Sequence, residues 1–191
     1  MKQVLTVLLC LLLFGGCAYT ETGSIYYISG LGFSNIENGI ALYIQYINDS
    51  GAPEVLSGRG ETPQNALDNL KSKLAKTPSF SHCSIIALEP NMTTIQIKTA
   101  LELCSQLNVS LSTKVLATGS VSELFGLEEG NTTQNLIKQN AAYFGFGGHT
   151  ALFEIQTAIM VNEGKFALPF ISIEENTPQV LGLCYFGEGG V

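Results

Sequence analysis

Two segments, Ile25 to Phe33 and Ile40 to Ile47, are rich in β-branched and aromatic residues and predict strands. Between them, Glu37-Asn38-Gly39 offers an Asn-Gly pair of the kind that supplies positive φ in a tight primed turn, so the two strands are expected to form a hairpin. On the second strand Ile40, Leu42, Ile44 and Tyr46 share one face, while Ala41, Tyr43, Gln45 and Ile47 share the other. Neither face is strongly polar, which implies cover on both sides. Thr62 followed by Pro63 then opens an amphipathic helix, with Ala66, Leu67, Leu70 and Leu74 at helical spacing. Lys71, Lys73 and Lys76 fall in its expected last turns, where they complement the helix dipole.

Pro78 ends that helix, and the apolar run Ser84 to Leu88 reads as a central strand. A second helix is expected from Thr93 or Thr94 to Leu107, burying Ile97, Ala100, Leu101, Cys104 and Leu107, and leading into a strand from Ser110 to Thr118. Ser120-Val121-Ser122-Glu123 fits a capping box for a short helix toward Phe125. Beyond it the pattern suggests a helix from Thr132 or Thr133 to Ala142, a break at Gly145-Phe146-Gly147-Gly148, and a helix from Thr150 to Val161 closed by Gly164. Leu168 to Ile173 reads as extended, Gly182 to Phe186 as a last strand, and Gly187 to Val191 as a hairpin turn whose second strand has been cut away. Helical crossovers favour parallel strands in one sheet. The expected fold class is therefore α/β (an α+β mixture): a mixed β-sheet with an N-terminal β-hairpin followed by helix-strand-helix-strand, helices packed on the sheet.

The first residues follow a different pattern. Lys2 leads an apolar run from Val4 to Phe14 that stops at Gly15-Gly16-Cys17. A membrane helix needs about 20 apolar residues, so this run is short for a span and resembles an export signal with a small-residue processing site. Cys17, directly after the small pair, resembles the bacterial lipobox cysteine that receives lipid, although Phe14 stands where Leu is usual and Leu13 lies one place further back. The run also suits an ordinary secretory signal cut near Gly16 or Ala18. The organisation expected is residues 1–16 signal peptide, 17–24 lipid-anchor linker and 25–191 one domain, with Cys17 as the lipid attachment site.

Charge narrows the partners. Without Lys2 the chain has eight basic side chains against sixteen acidic ones, a formal −8. Phosphate backbones and anionic head groups would repel it, so nucleic-acid binding is disfavoured and membrane attachment would have to come through a lipid anchor. Cys83, Cys104 and Cys184 are an odd set without regular spacing, a poor disulfide or zinc pattern, and read as buried apolar residues.

Candidate chemistry is sparse. His82 and His149 are the two histidines. His82 next to Cys83 suggests a base and a nucleophile, but strand neighbours point to opposite faces and would not converge. His149 after the glycine cluster could hold an anion at the next helix start, yet the cluster lacks the Lys-Ser/Thr of a phosphate loop and suits a connector. Glu128-Glu129 and Glu174-Glu175 read as solvated loop charges. Tyr26, Tyr27, Tyr43 and Tyr46 are the candidates to line a ligand pocket, should the chain be an exported small-molecule-binding module. No catalytic, metal or cofactor-binding set is expected.

The order of segments resembles one family. The lipobox-like Cys17, Ile28-Ser29-Gly30-Leu31-Gly32-Phe33 before a hairpin, Thr62-Pro63-Gln64-Asn65-Ala66-Leu67 opening a helix, and Phe80-Ser81-His82 leading into Ser84-Ile85-Ile86-Ala87-Leu88 resemble the N-terminal domain of the Ger(x)C spore germination lipoproteins. Thr113 to Thr118, Gly119 to Phe125, Leu168-Pro169-Phe170-Ile171 and Gly182-Leu183-Cys184-Tyr185-Phe186 follow in the family's order. The chain has Ala18-Tyr19 where the family often shows Trp-Asp, and Ser34 where an acidic residue is common, as a remote or truncated relative would. The resemblance implies the C subunit of a germinant receptor. Such a subunit is a non-enzymatic scaffold or signalling component held by lipid on the outer face of the cell or spore inner membrane, with multi-pass membrane subunits as partners. His82 occupies the family's histidine position and is expected to be structural, hydrogen-bonded near the strand start.

Overall fold

The computed structural model describes residues 24–127, 150–162 and 164–187. Their elements are β1 (Ile25–Ile36), β2 (Gly39–Ile47), β3 (Pro53–Gly60), α1 (Pro63–Lys71), β4 (Thr77–Ser79), β5 (Ile85–Leu88), α2 (Thr94–Gln106), β6 (Lys114–Thr118), α3 (Val121–Phe125), α4 (Leu152–Val161), β7 (Phe166–Glu174) and β8 (Thr177–Phe186). One mixed sheet runs in the order β3-β2-β1-β5-β6-β7-β8, with β4 also paired to β1. The centre, β1, β5, β6 and β7, is parallel, and β2, β3 and β8 are antiparallel flanks. The fold is the mixed α/β arrangement expected from the hydrophobic pattern.

Both faces of the sheet's centre are covered. Leu31, Phe33, Ile86, Leu88 and Val115 point into a core shared with Leu67 and Leu70 of α1, Ile97, Leu101 and Cys104 of α2, and Leu152 and Ile155 of α4. The alternate residues Ile85, Ala87, Leu116 and Ile171 face a smaller core closed by Val121, Leu124 and Phe125 of α3. The period-2 alternation of the strands thus feeds two apolar layers at once.

The hairpin forms, but one residue away from its expected turn. Ile36 pairs with Gly39, so Glu37 and Asn38 make the turn, and only Gly39 has positive φ, 139°. Its glycine answers a different need: a Cβ there would lie 2.2 Å from the Gly60 carbonyl oxygen of β3. β3 itself was not expected from its sequence, Pro-Glu-Val-Leu-Ser-Gly-Arg-Gly. Pairing with β2 over all eight of its residues makes it a strand, and its glycines admit α1. A Cβ on Gly58 would fall 2.1 Å from the Ala66 carbonyl oxygen.

Other boundaries move for local reasons. Thr62 caps α1 as expected, its Oγ1 accepting the Asn65 amide at 3.2 Å. The helix stops at Lys71 because Lys73 and Leu74 bond back three residues, to Leu70 and Lys71, instead of four. Lys73 and Lys76 therefore lie beyond it and do not serve its dipole. Thr93 caps α2 in a capping box with Gln96. β6 begins at Lys114 rather than Ser110, since Ser110–Thr113 closes a turn. Thr150 and Ala151 bond to the start of β6, through Val115 N to Thr150 O at 2.8 Å, so α4 begins at Leu152 instead of Thr150. The Glu154 carboxylate accepts the amides of Thr150 and Ala151, both at 2.9 Å.

The last expected strand is the second half of a longer one. β7 and β8 form a hairpin through Glu175 (φ 48°) and Asn176 (φ 62°), the two left-handed residues of a primed turn. The helix expected to Ala142, the glycine cluster with His149, Glu128-Glu129 and the turn expected over 187–191, beyond Gly187, lie outside the described residues.

Candidate functional site

β1 serves two partners on one edge, and a bulge makes this possible. Ile28 pairs with Tyr46 and Gly30 with Gln45, leaving Ser29 as the extra residue. Below the bulge Ile25–Tyr27 pair with β4; above it Gly30–Phe33 pair with β5. The bulge is fixed by polar bonds: the Ser29 carbonyl accepts the Ser84 amide at 2.9 Å and the Ser84 hydroxyl at 3.0 Å. The Ser29 hydroxyl donates to the Gln45 backbone and side-chain oxygens at 3.1 and 3.2 Å. Gln45, 2% exposed, passes its Nε2–H to the Phe125 carbonyl at 2.8 Å, which ties the end of α3 to the hairpin.

This geometry decides where the tyrosines go. Tyr26 and Tyr46 pack with ring centroids 4.6 Å apart and planes tilted by 45°, on the α1 side of the sheet. Lys76 lies 5.0 Å over the Tyr26 ring and pairs with the exposed Asp49. Burial is the main cause that pushes the Tyr46 hydroxyl up to about 12, and a hydrogen bond with Glu54 adds to it. Tyr43 packs against the opposite core and Tyr27 faces solvent. The four tyrosines expected to line one pocket therefore do not converge, because the alternation of β1 and β2 divides them between faces.

Below the bulge, Cys83 N donates to Phe80 O at 3.0 Å and closes a turn across Ser81 and His82. Phe80 anchors the turn in the core, whereas His82 stands exposed with its ring edge-on to Tyr27, centroids 5.0 Å apart at 87°. The hydrogen bond expected for His82 is absent among the described residues; a ring contact takes its place. Cys83 points the other way. Its thiol is buried, donates to the Ile85 carbonyl at 3.2 Å, and is pushed by burial up to about 12. A protonated thiol facing away from the imidazole is no nucleophile. Cys104 and Cys184 are also free and buried, with thiols raised by burial.

Beside this turn a groove of about 700 Å³ opens between the C-terminal ends of α1 and α2, with β4 along one side. Lys71, Leu74, Lys76, Ser79, Ser81 and Asn108 are among its lining residues. The sequence reading missed it because β4 is three residues long and hidden in Thr77-Pro78-Ser79. A Thr-Pro step after a helix was the available signal, since the residue before proline is pushed toward extended backbone. At the other end of the sheet Glu89 follows β5 and accepts the Val121 amide at 3.3 Å, with its carboxyl raised by desolvation. Among the described residues no group of three His, Cys, Asp or Glu side chains could hold a metal, and no helix is long and apolar enough to cross a membrane. Cys17 lies outside the described residues.

A two-sided mixed sheet, thiols sunk in its core and an aromatic turn facing water define an α/β domain. The family model described as the spore germination protein N-terminal domain matches residues 19–173, and the chain belongs to that family. No curated protein matches the chain. Among solved structures it is similar to YeaZ from Pseudomonas aeruginosa, at 10% identity over 85% of this chain and 71% of that one, with a TM-score of 0.34. A second, titled an uncharacterized protein with similarity to peptidase YEAZ from Pseudomonas aeruginosa, is 12% identical over 85% and 68%, also at 0.34.

Proposed function

We propose that this protein is a lipid-anchored, non-enzymatic subunit of a germinant receptor, resembling the C subunit, which acts in nutrient-triggered spore germination by touching other receptor subunits. Membership of the spore germination family carries this reading. In it residues 1–16 are removed, Cys17 takes the lipid, residues 17–24 form the linker, and residues 25–191 stand on the outer face of the cell or spore inner membrane beside multi-pass partners. The chemistry of the site agrees with a contact role, because Cys83 is held protonated in the core while Tyr27 and His82 are offered to solvent.

Palmitate labelling that disappears in Cys17→Ala, together with loss of germination, is the expected result; an unlabelled chain that turns over a substrate by itself would sink the reading. His82 separates contact from structure. His82→Ala is expected to leave Tm unchanged within about 1 °C, since exposed sites away from caps and cores shift stability little. Impaired germination at that unchanged Tm would mark the Tyr27–His82 surface as a contact, and a large drop in Tm would mark it as structural. The groove beside it favours a second reading, an exported small-molecule-binding lipoprotein. Saturable heat of binding for one nutrient, lost in Lys71→Ala, would put that reading first.

A further inference from the structure

The groove between the C-terminal ends of α1 and α2 is a positive spot on an acidic chain. No Asp or Glu stands between Asp68 and Glu89, a stretch that holds three of the chain's nine basic residues, Lys71, Lys73 and Lys76. Lys71 and Lys76 line the groove, and among the described residues no carboxylate does. The three lysines are not equally available. Lys76 is paired with Asp49, outside the lining, and Lys73 donates to the Ser57 carbonyl at 2.8 Å. Lys71 is exposed, and its ammonium has no partner among the described residues.

Resting on the reading of this groove as a small-molecule site, we propose that it takes an amphipathic organic anion, a carboxylate on an apolar body, in preference to a zwitterion or a cation. Lys71 meets the carboxylate. Half-buried Leu74, Pro78 and Leu107 give the apolar body a floor, and Leu74 and Leu107 continue directly into the main core. The Ser79 and Ser81 hydroxyls, 3.0 Å apart, add hydrogen-bonding groups. The missing carboxylate decides the class: an ammonium on the ligand would give up water in the groove and find no anion to replace it. The volume, about 700 Å³, lies within the range of roughly 300–1,000 Å³ that small-molecule sites occupy.

Two effects oppose an anion here, and both are blunted. The net charge of −7 repels one at long range, but salt screens that repulsion over about 8 Å, so inside the groove the nearby ammonium dominates. The two helices also turn the negative ends of their dipoles toward the groove. Their last carbonyls are already bonded. In α1 the Leu70 carbonyl accepts the Lys73 amide at 3.0 Å and the Asn69 carbonyl accepts the Ser72 hydroxyl at 2.7 Å; in α2 the Cys104 and Ser105 carbonyls accept the Val109 and Asn108 amides, both at 3.1 Å.

Three probes with one phenyl-alkyl body test the class near about pH 7: 3-phenylpropionate is an anion, phenylalanine a zwitterion and phenethylamine a cation. Each is titrated to about 20 mM into the full chain in one detergent, followed by amide-resolved NMR. 3-Phenylpropionate is expected to shift the amides of 71–81 and 106–108 saturably, at least about threefold more tightly than phenylalanine, while phenethylamine leaves them in place. Lys71→Ala at unchanged Tm should weaken that binding at least about threefold, and Lys98→Ala, an exposed lysine of α2 outside the groove, should not. Phenylalanine or phenethylamine binding there as tightly, or Lys98→Ala weakening it as much as Lys71→Ala, would overturn the choice of an anion while leaving the groove a small-molecule site. Silence of the groove toward all three would overturn the proposal as well, and the small-molecule reading falls with it only if the nutrient titration also shows no heat.

Discussion

Replacing Gly32 with alanine places one methyl where α3 already sits. An ideal Cβ at this position lies 2.2 Å from Val121 Cγ1 and 3.0 Å from Phe125 Cε2. Carbon atoms pack at about 3.5–4.0 Å, so the valine methyl would have to retreat by roughly 1.5 Å. Val121 is 0% and Phe125 1% exposed, and neither has open space to enter. Overpacking of this kind costs about 1–3 kcal/mol. Alanine is worth about 0.5–1 kcal/mol over glycine in a strand interior, which offsets part of that cost but does not reverse it. The expected net loss is about 1–2 kcal/mol. Val121→Ala alone, which deletes two buried methyls, costs about 2 kcal/mol. In the Gly32→Ala background it removes the clash as well, so the double variant should be less destabilised than the two singles together, by at least about 1 kcal/mol. Urea unfolding followed by circular dichroism measures this, since the chain has no tryptophan to report. Additive losses, or a Gly32→Ala midpoint equal to that of the parent, would refute the claim that Gly32 exists to seat α3.

Two further outcomes follow from the buried ionisable groups. Desolvation raises the Glu89 carboxyl above its ordinary 4.5, only partly countered by the Val121 amide. The folded state then holds the proton that the unfolded state has released, so stability falls as pH rises through the window above 4.5. Glu89→Gln keeps an acceptor for Val121 without the charge: its Tm should match the parent's near about pH 4, exceed it near about pH 7, and a lower Tm at neutral pH would contradict the argument. The Cys83 thiol, at about 12 instead of 9.0, ionises about a thousandfold less than a free thiol, and Cys104 is wholly buried. Peptide-resolved alkylation should therefore find both unreactive until the urea transition. Labelling of Cys83 in native protein at the rate of a free thiol would mean the Phe80–Cys83 turn is not closed as described.

The parts that could be read from the chain are those whose signals are local. Thr62-Pro63 announces α1, the run Ser84 to Leu88 announces β5, and Ser120 announces α3, because caps and apolar runs act within a turn or two of their own residues. β3 could not be read: two glycines and a proline argue against a strand, and only its pairing with β2 and the seating of α1 on Gly58 explain them. The Glu175-Asn176 turn was hidden for the opposite reason, since left-handed backbone fell on a residue that seldom adopts it. For the site, the sequence pointed to His82 and to four tyrosines. Strand alternation divides the tyrosines between the two faces and the Phe80–Cys83 turn carries His82 to solvent, while no periodicity in β1 reveals the extra residue at Ser29.

The position of β1 also sets an order on the folding of the chain. This strand becomes an interior strand of the sheet, and β2, β3 and α1 can close upon it using residues 25–71 alone. Its other edge must wait for residues 77–88, and β6 and β7 must wait longer still. A growing polypeptide thus holds an unfilled slot beside its oldest strand, and the parallel partners that fill it are the slow, non-local step of assembly. Any helper that guards the newborn molecule would have most to do at that slot.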